Sequence, residues 1–68
     1  MSKYRVYIET LPGFYPHHGK YSGHVDVLSQ DDDKAIERAF KKILNPRTGI
    51  FPGGPRSMLR VLRVEAID

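Results

Sequence analysis

The sequence predicts an α+β fold: a three-stranded sheet, antiparallel or mixed, in strand order 2-1-3, with one helix packed on one face. Three observations carry this. Two short segments alternate apolar and polar residues with period 2. One segment repeats apolar residues at spacings of 3 and 4. A Leu/Val-rich segment closes the chain, and Pro/Gly clusters separate it from the helix and the first two segments from each other. The 68 residues make a single domain, 1–68, ordered β–β–α–β. A right-handed crossover from the second strand to the third places the third beside the first, so the first strand lies in the middle.

The first strand covers about residues 3–10. Tyr4, Val6 and Ile8 alternate with Lys3, Arg5, Tyr7 and Glu9, so the first set is expected inward and the second outward. Residues 11–20, LPGFYPHHGK, hold two prolines and two glycines and read as a loop. A second strand covers about 21–28. Tyr21, Gly23, Val25 and Val27 share one face; Ser22, His24 and Asp26 share the other, and Gly23 marks a candidate bulge.

The helix is expected over about 30–44. Ser29 is placed to cap it, with Asp32 reaching back in a capping-box arrangement. Asp31, Asp32 and Asp33 suit the positive end of the helix dipole, and Lys41 and Lys42 the negative end. Ile36, Ala39, Phe40, Ile43 and Leu44 form the apolar stripe with Ala35 beside them, and Glu37 and Lys41 form an i,i+4 pair. Asn45-Pro46 ends the helix. The long loop 45–57 carries three prolines and three glycines. The last strand covers about 58–67, and its alternation is imperfect. The register, or a bulge, decides whether Arg60 or Arg63 faces solvent.

Composition narrows the function. The chain has no cysteine, which excludes disulfides and thiolate metal sites. No apolar run is long enough to span a membrane, and the charged, alternating start is unlike a signal peptide, so a cytoplasmic protein is expected, monomeric by default. The three histidines (His17, His18, His24) lack metal-ligand spacing, and the Asp31–Asp33 run lacks the EF-hand pattern. The glycines near 49–54 follow a helix and precede a strand, the reverse of a phosphate-binding loop. No nucleophile has an evident base partner. The expectation is a non-enzyme without metal or cofactor.

The net charge is +3, but residues 40–63 carry Lys41, Lys42, Arg47, Arg56, Arg60 and Arg63 and no acid. Such a block suits polyanions or acidic protein surfaces. The uncovered sheet face is expected to be basic, with Lys3, Arg5, Tyr7, His24 and an arginine of the last strand. Phe14 and Tyr15 in the first loop, and Ile50 and Phe51 in the second, read either as aromatic and apolar anchors beside positive charge or, for Phe14 and Phe51, as groups that fold back to seal the open ends of a small core. The residues expected to bind a partner are Arg5, Tyr7, Phe14, Tyr15, Arg47, Phe51, Arg56, Arg60 and Arg63. A direct nucleic-acid module using the 40–63 stretch is the alternative, with Tyr7 stacking a base. A structural subunit of a larger assembly is a third reading.

Two segments also carry a resemblance. VDVLSQDDDKAIERA (residues 25–39) and LRVLRVEA (residues 59–66), together about a third of the chain, resemble the small podophage inhibitors of host RNA polymerase. In that family an apolar strand also runs through a polar cap into an amphipathic helix, and the last strand alternates valine and arginine. The resemblance implies one helix on a three-stranded sheet and no enzymatic activity. It implies a partner in a larger bacterial protein, RNA polymerase, bound through arginines of the last strand and acidic surface residues. Arg63 matches one of those arginines; Glu65 stands where the second would be.

Overall fold

The computed structural model of the chain describes residues 1–11 and 21–67. Its elements are β1 (Ser2–Thr10), β2 (Ser22–Ser29), α1 (Asp32–Ile43) and β3 (Leu59–Ala66), with a 3-10 turn at Arg56–Met58 before β3. The sheet order is β2-β1-β3, and both pairings are antiparallel. Phe14, Tyr15, His17 and His18 lie outside the described residues.

α1 covers the face expected from the alternation. Val6 and Ile8 are fully buried on the central strand, against Ala35, Ala39, Phe40 and Ile43 of the helix. Tyr4, Val27, Ile36, Leu44, Val61 and Val64 pack partly buried around them.

The helix begins later than the capping-box pattern implies. Asp31, not Ser29, is the N-cap: its backbone is extended, and its carboxylate accepts from the Lys34 N–H at 2.9 Å. Ser29 is the last residue of β2 and fully buried; its hydroxyl donates to the Asp31 carbonyl at 2.9 Å. Strand pairing holds Ser29 in place, so Asp31, the next residue with a strong capping side chain, takes the helix end. Replacing Asp31→Ala should destabilise the fold by about 1 kcal/mol, read from the urea midpoint. Ser29→Ala should leave helix content unchanged, since its hydroxyl satisfies no helical N–H. Glu37 also differs from expectation: it pairs with Arg56 at 3.4 Å rather than with Lys41.

The 45–57 segment is built onto the end of the helix. Asn45 Oδ1 accepts from the N–H groups of Arg47 and Thr48, which turns the chain. The N–H of Phe51 then donates to the Ile43 carbonyl, and that of Gly53 to the Leu44 carbonyl, both at 3.1 Å. These bonds satisfy carbonyls that a helix end otherwise leaves open. They also carry Phe51 into the core, where it is 8% exposed and meets the Tyr21 ring edge-on at 5.3 Å. The expectation of Phe51 as an exposed anchor is corrected: it closes the end of the core.

The bulge expected at Gly23 is not there. The β1–β2 register runs unbroken through Ile8↔Gly23. The small residue instead makes room for the Tyr21 ring, whose hydroxyl would lie 2.6 Å from a Cβ at position 23. The irregularity is on the other side of β1. Tyr7 pairs with Arg63 and Ile8 with Val61, which leaves Leu62 as the extra residue of a bulge in β3. The bulge resolves the imperfect alternation. Leu59, Val61, Val64 and Ala66 all fall on the helix side, and both Arg60 and Arg63 fall on the open side.

Candidate protein-binding face

The sheet face opposite α1 is left without a covering element among the described residues. Register places its side chains in rows across the three strands: Asp26–Arg5–Glu65, His24–Tyr7–Arg63 and Ser22–Glu9–Arg60. β1 supplies the middle of every row.

The middle row is a stack. The Arg63 guanidinium sits over the Tyr7 ring, 4.3 Å from its centroid, and His24 lies on Tyr7's other side at 5.7 Å between centroids, tilted by 54°. A guanidinium over an aromatic face is attracted by the ring quadrupole, which holds both groups in place. Arg63 also meets Glu65 at 3.3 Å.

The flanking rows are ion pairs. Arg5 donates to both Asp26 oxygens, at 2.9 and 3.1 Å. These bonds hold the Asp26 carboxyl below its ordinary value, against partial desolvation working the other way, and raise Arg5 in turn. Arg60 pairs with Glu9, whose carboxylate is almost fully buried although it lies on the open side of β1. Beside the stack, Leu62 stands out at the bulge, half exposed.

The face is therefore not the basic surface expected from the cation count. Lys3, Arg5, Arg60 and Arg63 share it with Asp26, Glu9 and Glu65, and each of the three arginines has a carboxylate partner. The face is close to neutral, with charges of both signs at set positions.

Of the residues expected to bind a partner, Arg5, Tyr7, Arg60 and Arg63 are brought together here. Arg56 lies on the helix side, over the Phe40 ring at 4.7 Å and paired with Glu37. Arg47 is exposed in the turn after the helix, away from this face in sequence and element. Phe51 is in the core. Sequence reasoning missed the counter-charges and Leu62. Asp26 was visible as an outward residue of β2, but only the register sets it opposite Arg5.

Among the described residues no group of three or more His, Asp or Glu is placed to hold a metal ion. No helix among them is long and apolar enough to cross a membrane. No protein-family model, curated protein or solved structure matches the chain.

Proposed function

We propose that the protein is a non-enzymatic binding protein that presents the Tyr7 face to a larger bacterial protein and inhibits or modulates it. The resemblance of residues 25–39 and 59–66 makes RNA polymerase the first partner to test. Such a protein would act in the bacterial cytoplasm.

The observation that carries this reading is the His24–Tyr7–Arg63 stack, held between ion pairs on a sheet face that no other described element covers. Tyrosine and arginine dominate the residues whose truncation weakens protein interfaces most. Here they are pre-positioned, so less side-chain freedom is lost on binding. Ordered charges of both signs favour a protein surface of matching pattern. A polyanion would have to compete with Asp26, Glu9 and Glu65 for the same arginines. The nucleic-acid alternative is weakened for the 40–63 stretch too, because three of its six cations, Arg56, Arg60 and Arg63, already pair with carboxylates.

The test is binding to immobilised, purified bacterial RNA polymerase, with and without nuclease, alongside promoter-dependent transcription. The wild-type chain should bind after nuclease treatment and reduce transcription. Tyr7→Ala and Arg63→Ala should each weaken binding at least about tenfold. If neither Arg60→Ala nor Arg63→Ala changes binding to a confirmed partner, the open face is not the contact. Binding that vanishes with nuclease would instead support the nucleic-acid reading.

A further inference from the structure

A second surface lies at the opposite side of the sheet from β3. Among the described residues β2 is an edge strand, paired only with β1. The Thr10 N–H donates to the Tyr21 carbonyl at 3.0 Å, which extends the β1–β2 ladder by one pair. In an antiparallel ladder successive residues turn their backbone groups to alternate sides. The odd residues of β2 therefore bond to β1, and Ser22, His24, Asp26 and Leu28 turn their N–H and C=O groups outward. An independent contact agrees: the Lys42 ammonium reaches the Asp26 carbonyl at 3.3 Å from the helix.

Along this edge runs a groove of about 360 Å³ between β2, the end of α1 and the turn after it. Val25 and Ile43 form its buried apolar floor, and Ile50 stands beside it 49% exposed. Lys42 and Thr48 supply its polar rim. Asp26 is the one carboxylate lining the groove, and both its oxygens are taken by Arg5. Lys42 has no carboxylate partner among the described residues, and the exposed Arg47 directly precedes Thr48 in the chain.

We propose that the β2 edge accepts an extended, acidic peptide segment as a fourth strand. Its backbone would bond to the outward groups of Ser22–Leu28. Its side chains on the helix side would place an apolar group against Ile50 and a carboxylate at Lys42. A second copy of this chain fits less well. The antiparallel self-pairing that sets His24 opposite Asp26 centres on Val25, and it brings the two Lys42 ammonium groups, each held at Asp26, together at the axis. An anionic strand answers the charge that a second copy would double.

The experiment titrates the full chain, labelled for NMR, with a terminally blocked eight-residue peptide in which pairs of valines alternate with pairs of glutamates, so that each face of the strand carries both. Two further peptides serve as controls: one with lysine for glutamate, and one N-methylated at alternate amides. The acidic peptide should shift amides of residues 22–28, 42 and 48–50. Lys42→Glu, at an exposed position, should weaken it at least about tenfold. The N-methylated and lysine peptides should not bind, and Tyr7→Ala should bind the acidic peptide as wild type does. That last variant separates this surface from the open face, so either surface can fail alone. No shift at millimolar acidic peptide, equal binding of the lysine peptide, or shifts confined to the Tyr7 face would overturn the proposal. So would a peptide-free dimer in sedimentation whose interface maps to β2.

Discussion

Deleting Leu62 should leave the protein folded, whereas deleting Val64, two residues further on, should cost it a large part of its stability. A deletion inside a strand normally reverses every side chain beyond it. Leu62, however, is the residue that β3 carries in excess of its partner. Without it, Val61 still faces Ile8 and Arg63 still faces Tyr7, and the strand reads as a regular alternation from Leu59 to Ala66. The Leu11 N–H to Met58 carbonyl bond at one end, and the Ile67 N–H to Lys3 carbonyl bond at the other, belong to the same ladder on either side of the bulge. The expected change in stability is within about 1 kcal/mol, the range of an ordinary surface substitution or a little more.

Deleting Val64 has no such escape. If the bulge is kept, Glu65 moves opposite Val6, a fully buried residue beneath the helix. If the bulge is absorbed, Arg63 moves there instead. Either pairing turns a charge toward the core, and an uncompensated charge in that position costs about 3–5 kcal/mol. A domain of this length has roughly 3–10 kcal/mol in total. Circular dichroism with urea melts of the two deletions decides it. If they lose stability equally, Leu62 is not the extra residue. The folded deletion is also a tool: it removes the exposed leucine beside Tyr7 while leaving the arginines on their face.

The second large effect is expected at Gly49. A Cβ there would lie 2.2 Å from the Ile43 carbonyl oxygen and 2.7 Å from both the backbone nitrogen and the oxygen of Asn45. All three neighbours are backbone, so no side chain can swing aside. Gly49→Ala must push the turn off the helix end, which breaks the bonds from Phe51 and Gly53 and withdraws Phe51 from the core. The expected loss is about 3 kcal/mol, at the upper end for overpacking. Gly53→Ala is the control. Its φ of +69° disfavours alanine, but a Cβ would meet nothing within 4 Å, so about 1 kcal/mol is expected. Equal urea midpoints for the two variants would mean that the turn is not pressed against the helix.

How much of this was written in the sequence differs from element to element. The inward set Tyr4, Val6, Ile8 and Val25, the helix stripe around Ala39 and Ile43, and the order 2-1-3 follow from local periodicity and chain connectivity. Periodicity reports which face of an element is apolar, and a small domain has few ways to cover such faces. The candidate face was only half legible for the same reason. Arg5 and Tyr7 could be placed outward from their own strand, but which arginines of the last strand join them, and the pairing of Arg5 with Asp26 and of Arg60 with Glu9, depend on register between strands. A count of cations along the chain therefore suggested a basic surface where pairing makes a nearly neutral one.

The segment after the helix shows the limit most clearly. Its prolines and glycines announced a loop, and Phe51 within it had the composition of an exposed anchor. The backbone bonds from Phe51 to Ile43 and from Gly53 to Leu44 turned that aromatic inward, because open helix carbonyls need donors and the returning chain supplies them. The sequence alone determined the elements and the apolar side of each. The tertiary structure decided the register, and with it the bulge at Leu62, the burial of Phe51 and the charge pattern around Tyr7. Those depend on contacts between residues far apart in the chain, which no local pattern encodes.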